Sequence, residues 1–174
     1  ERPVVHLYEV GYPGRGWDVN ARPVMSAQLP HDVFPAEAVV SQAGHVVTLD
    51  DYYEPGSGNA VVLVDGMGNQ LAGYALIDLF LEEEIAAFEW SDCGIHWRDG
   101  ARYFFLLEAT PRFYIVLSSG LVLEFSLENG AFVRGEVGEF PDLVQVLAQP
   151  FANEQVEPWA TSLRFSSITD AVRG

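Results

Sequence analysis

Lysine is missing from this chain altogether, and all nine of its basic residues are arginine. Without lysine there is no amine to form a Schiff base, and none to reach a nucleotide phosphate from a glycine-rich loop. A single cysteine, Cys93, leaves no partner for a disulfide within the chain, so a disulfide-stapled scaffold is excluded. No apolar run approaches the roughly 18 residues that mark a spanning helix, and the longest such stretches are strand-length. A Gly-x-Ser-x-Gly elbow and a His-Glu-x-x-His helix are also absent. Positive charge is scarce: 25 acids face nine bases, for a formal net charge of -16. Such a field keeps a chain soluble, disfavours nucleic acid and anionic lipid, and speeds encounter with a cationic partner.

Apolar side chains are plentiful, at 49% of 174 residues, and they include four Trp, seven Tyr and eleven Phe. That is enough burial for one folded domain over residues 1–174. Its patterning is mainly β. Strands are predicted within Pro3–Val10 and Trp17–Leu29, with a proline-bracketed loop around 29–35. A meander over about 38–74 has corners at Ser41–Gly44 and Asp65–Asn69, and a second occupies about 101–134 with corners at Ser118–Gly120 and Glu128–Gly130. Leu121, Leu123, Phe125 and Leu127 alternate with Val122, Glu124 and Ser126, the period of a strand with one buried face. Ile77, Phe80, Leu81, Ile85 and Phe88 recur at helical spacing, predicting one helix over about 76–88 with Glu82, Glu83 and Glu84 on a solvated side. A short helix is predicted over 141–148 and a last strand within Trp159–Phe165. The two meanders share an order of strands and glycine-containing turns, so antiparallel sheets in a propeller-like or sandwich arrangement are expected.

The segment Val40–Asp51, followed by Val61–Asn69, resembles the repeating unit of small bacterial β-rich proteins built from propeller-blade-like meanders. In that group the stretch Ser91–Arg98 would be a small-residue turn ending in tryptophan. The resemblance covers residues 38 to about 130 and implies a fold type. The acidic, β-rich, small profile is also similar to bacterial immunity proteins that neutralise secreted toxins, type VI effectors among them. The sequence opens at Glu1 without a methionine or a basic-then-apolar leader, the form expected of a mature periplasmic or otherwise exported chain, or of a trimmed one.

Five consecutive residues stand out: Asp50, Asp51, Tyr52, Tyr53 and Glu54. They open a segment running to Asn59 that is longer than a tight hairpin needs, and they combine three carboxylates with two tyrosines. Tyrosine gives broad contact area at low entropy cost, and the flanking acids would meet arginine or lysine on a protein partner. The same stretch also reads as an ordinary mobile loop. Asp50, Asp51, Glu54 and Asn59 are oxygen donors, although their spacing does not match a twelve-residue calcium loop. Cys93 and His96 are three apart, and a buried cysteine with a satisfied histidine is the expectation ahead of a metal site or catalytic thiol. Val61–Gly68 superficially resembles a strand feeding a dinucleotide loop, but Leu71 replaces the third glycine and Asp65–Asn69 has hairpin chemistry. Trp90 and Trp97 flank the small turn and are expected in the core; together with Glu89, Asp92 and Asp99 they define the alternative of a glycan-binding or glycan-hydrolysing cleft. A structural module of an envelope assembly is a third reading. The sequence therefore points first to a non-catalytic binding protein without cofactor or metal, an immunity protein or inhibitor docking a basic toxin or enzyme through Asp50–Glu54.

Overall fold

The computed structural model describes residues 2–8, 22–107 and 109–148, and the backbone of 164–166. Their architecture follows from glycine-cornered antiparallel strands. β1 (Val4–Leu7) and β2 (Met25–Gln28) precede a four-stranded meander of β3 (Pro35–Val40), β4 (Val46–Asp51), β5 (Val61–Val64) and β6 (Gln70–Tyr74). Two helical turns, α1 (Leu76–Leu79) and α2 (Glu82–Ala87), and a two-rung hairpin of β7 (Trp90–Ser91) and β8 (Gly94–Ile95) then lead to a second meander. It comprises β9 (Arg102–Leu106), β10 (Arg112–Val116), β11 (Leu121–Ser126) and β12 (Phe132–Glu136), followed by α3 (Pro141–Ala148) and β13 (Arg164–Ser166). Each meander pairs in sequence order, and β1 lies between β13 and β2. Parts of the terminal strands predicted within Pro3–Val10, Trp17–Leu29 and Trp159–Phe165 lie outside the described residues.

The sheets stack in layers. Val47, Leu49, Val61 and Leu63 of the first meander share a core with Phe113, Ile115, Leu123 and Phe125 of the second, closed by Leu76, Leu79, Phe80 and Trp97. The other face of the first meander, at Val46, Val62 and Val64, is covered by Val5, Met25, Ala27 and Leu29. Tyr114, Val116 and Val122 on the other face of the second are covered by Phe140 and Leu143. Both meanders are therefore buried on two sides, and Val61–Val64 reads as an unbroken apolar run with every residue buried. The expectation of a single buried face on β11 is corrected for the same reason, because Val122 is sealed beneath α3.

The predicted helix over 76–88 is split. Phe80 (φ -134°, ψ 155°) and Leu81 (φ -72°, ψ 154°) are extended, and each short helix has its own start. The Asp78 carboxylate accepts from Ala75 N at 2.8 Å and the Glu84 carboxylate from Leu81 N at 2.7 Å, both N3 acids satisfying an N-cap amide. The break drops the Phe80 ring against Phe88 and Trp97, at centroid distances of 5.0 and 5.7 Å. Arg134 ties the arrangement to β12 by bonding both the Glu84 carboxylate and Leu79 O. Glu82 and Glu83 are solvated as predicted, whereas Glu84 is half-buried in that ion pair. The two meanders meet at Gly130, where φ is +76° and an added Cβ would lie 2.6 Å from Ala72 Cβ. There the Tyr74 hydroxyl donates to Gly130 O at 2.5 Å.

Candidate functional site

The segment singled out in the sequence lies where β4 ends, and its five residues separate into two groups. Asp50 and Asp51 belong to β4 and are buried, while Tyr52, Tyr53 and Glu54 are exposed. This corrects the expectation that all five face outward, and the physical reason is hydrogen-bond satisfaction. Asp50 takes a left-handed backbone at φ +53°, which is uncommon for a residue with a side chain. Its carboxylate turns inward to accept from Gly56 N at 2.9 Å, Trp97 Nε1 at 2.7 Å and Arg98 Nε at 2.5 Å. Arg98 continues the network to Glu37 on β3 and to the Tyr103 hydroxyl on β9. Burial works most strongly against the Arg98 charge, but the hydrogen bonds and electrostatic attraction of Asp50 and Tyr103 together outweigh it, and the guanidinium pKa is raised. Tyr103 is pushed up chiefly by burial, so its hydroxyl keeps its proton.

Asp51 anchors a second network. His31 is completely buried, with Nδ1 2.7 Å from Asp51 Oδ1 and Nε2 2.7 Å from Thr48 Oγ1. Burial lowers the His31 pKa, against the opposing pull of Asp51, and burial raises that of Asp51. An ionised Asp51 accepts only, so Nδ1–H donates to it and Nε2 accepts the Thr48 hydroxyl proton. Acid, imidazole and hydroxyl are chained as in a nucleophilic triad, yet Thr48 is fully buried within β4 and offers no face to a substrate. The chain acts as a staple between the 29–34 segment and β4.

These networks hold the exposed part of the loop. Glu54 N donates to Asp51 O, Ser57 N to Glu54 O, and Ile95 N of the β7–β8 hairpin to Pro55 O at 2.8 Å. Gly94, at φ +134°, lets the two segments touch, because a Cβ there would stand 2.4 Å from Pro55 O. Tyr52 and Tyr53 are 61% and 71% exposed, and their rings meet edge to face at 5.1 Å and 87°. Tyr52 N donates to Phe34 O, placing the 42% exposed Phe34 beside them. Trp90 pairs across the hairpin with Ile95 and is 60% exposed. These four are all of the exposed large aromatics among the described residues: Phe34, Tyr52 and Tyr53 flank the Pro35–Asp51 end of the first meander, and the hairpin that carries Trp90 is bonded to the same loop through Ile95 N and Pro55 O. Asp32, Glu54, Glu89 and Asp92, each within two residues in sequence of one of these rings, are exposed, as is Asp99.

Other sequence expectations resolve here as well. Trp97 is in the core as predicted, donating its indole N–H to Asp50, whereas Trp90 is at the surface. The two tryptophans therefore do not line a common cleft beside Glu89, Asp92 and Asp99. Cys93, expected buried, is exposed, and His96 Nε2 bonds Ser91 Oγ at 2.7 Å instead of the thiol. The oxygen donors considered for calcium diverge: Asp50 and Asp51 are occupied by protein donors, and Asn59 Nδ2 donates to Pro30 O. No group of three or more His, Cys, Asp or Glu is arranged to hold a metal ion among the described residues. Asp65–Asn69 is a hairpin corner, with Asp65 Oδ1 accepting from Met67 N and Asn69 N at 2.8 Å. A hollow of about 210 Å³ lined by Arg112, Tyr114, Glu124 and the start of α3 is smaller than ligand pockets, which run about 300–1,000 Å³.

Sequence reasoning missed Phe34, Trp90 and the His31 staple as parts of this region. Phe34 sits between two apolar-looking neighbours, Val33 and Pro35. Trp90 follows Glu89 and precedes Ser91 and Asp92, a polar setting that signals exposure for a two-residue strand. Comparison with models of known protein families, with curated proteins and with solved structures returns no match, so the reading of this surface rests on its own chemistry.

Proposed function

We propose that this protein is a non-catalytic binding protein of the immunity or inhibitor kind, working in the periplasm or another exported setting, which caps a basic toxin or secreted enzyme. The observation that carries the reading is the placement of Tyr52, Tyr53 and Glu54 on an internally pinned loop, solvent-exposed, in a chain of net charge -16. Large exposed aromatics are costly to leave in water and are the residue types that dominate binding energy at interfaces. A loop already held by Asp50, Gly56 and Ile95 has little ordering entropy left to lose on docking. The surrounding carboxylates would accelerate association with a basic surface, an effect that salt screens.

Affinity capture from the organism's own lysate at low and high salt tests this reading. A basic protein partner retained at low salt and reduced at high salt is expected. No partner under either condition contradicts it. A second reading is favoured by one observation: the exposed Trp90 flanked by Glu89 and Asp92 is a surface on which a sugar ring could stack. Glycan array binding that is lost on W90A but kept on Y52A/Y53A would select that alternative.

A further inference from the structure

We infer that the aromatic end selects arginine over lysine, its ligand being an exposed arginine-bearing loop of a protein partner whose guanidinium planes lie on the Tyr52, Tyr53 and Trp90 rings beside Glu54 and Asp92. The inference rests on the docking reading above and narrows it to one side-chain chemistry.

Location is the first support. Among the described residues, the other exposed large hydrophobics, Val24, Met67, Ile77, Leu81, Val133 and Val144, are aliphatic or thioether side chains, and the exposed rings are at this end. A surface selected only for apolar contact has no reason to exclude leucine and methionine in this way. What rings add is a face of negative potential that attracts a cation.

Charge is the second. The exposed groups around the rings are carboxylates, and a nearby cation, Arg98, is engaged with Asp50 and Glu37 beneath the loop. Among the described residues these carboxylates outnumber the nearby cations, Arg98 and the exposed Arg102, whose guanidinium lies over the Phe104 ring, so a cationic partner is complementary.

The third is the difference between the two cations. An ammonium is compact and strongly hydrated, and carboxylates alone suit it. A guanidinium is planar and weakly hydrated, stacks on aromatic faces, and keeps its edge N–H groups free for carboxylates such as Glu54 and Asp92. Rings and acids presented together on a preorganised loop match the second ion.

Two peptides of equal length and charge, Gly-Arg-Gly-Arg-Gly-Arg-Gly and its lysine counterpart, can be titrated into the full chain while backbone amide and indole resonances are followed. The arginine peptide is expected to bind at least about threefold more tightly, shifting the resonances of Tyr52–Glu54 and the Trp90 indole. In Y52A/Y53A, and separately in W90A, the arginine preference should fall toward unity. E82Q/E83Q, which removes two exposed charges on α2, should leave the preference intact, and dispersed spectra confirm that each variant is folded. Equal affinity for the two peptides, undetectable binding of both, or a preference that survives Y52A/Y53A would overturn the inference. If a natural partner is captured through Tyr52 and Tyr53 while the peptides are not distinguished, the inference fails and the docking reading stands.

Discussion

Asp50 and Tyr53 are three residues apart and do opposite work. The Asp50 carboxylate is the common acceptor for a buried indole, a part-buried guanidinium and a part-buried loop amide. Truncating it leaves the buried Trp97 indole N–H without its acceptor and Arg98 with Glu37 as its remaining carboxylate, and a buried polar group left unsatisfied costs about 1–3 kcal/mol. Asp50→Ala is therefore expected to lower unfolding free energy by about that amount in urea titrations, with Asp50→Asn intermediate because it keeps an acceptor oxygen. Tyr53→Ala removes a ring that is 71% exposed and should change stability by no more than about 0.5 kcal/mol. Equal effects would show that the burial contrast along this segment is wrong. His31 supplies a second residue-scale test. Its folded pKa lies below the ordinary 6.5, so the unfolded chain binds a proton first, and stability falls as pH drops through 6.5 toward the folded value. His45, also lowered by burial, acts in the same sense, while Asp51, raised by burial, acts oppositely above its ordinary 3.8. His31→Gln should flatten the pH dependence of stability between about 7 and 5 without abolishing it; an unchanged slope would show that His31 titrates freely in the folded chain.

At the scale of elements, the parts of the chain that announced themselves were those whose local chemistry and tertiary setting agree. The corners at Ser41–Gly44, Asp65–Asn69 and Glu128–Gly130 carry glycine where φ is positive, and both meanders follow from them. Two aspartates after Leu49 resemble a loop, and Trp97, Arg98 and His31, all distant in sequence, make them strand residues of β4. Periodicity alone overextends the 76–88 helix, because it cannot see that Asp78 and Glu84 each start a separate turn. The aromatic end is half legible. Tyr52 to Glu54 stood out as surplus loop, while Trp90 and Phe34 join it only through contacts across the fold. Two-sided burial of the meanders gives a direct check: Leu123→Ala, in the shared core, should cost about 2–5 kcal/mol. Val133→Ala, on the neighbouring β12 at 57% exposure, should cost less than about 0.5 kcal/mol in the same denaturation series.

For the molecule as a whole, stacked meanders supply the rigidity, and the chemistry is concentrated at one end. The buried acids Asp50 and Asp51 spend their charge on internal partners; the exposed ones around the aromatic loop leave theirs available to a ligand. On the function proposed above, this end, and not diffuse negative charge, is the docking surface. Captured partner can be compared between the wild-type chain, Y52A/Y53A and the E82Q/E83Q variant, which alters charge elsewhere, at one low salt concentration. The account predicts that Y52A/Y53A loses most of the partner, on the order of the tenfold or greater effects typical of interface aromatics, while E82Q/E83Q retains it. Equal capture by all three, or loss only in E82Q/E83Q, would contradict it.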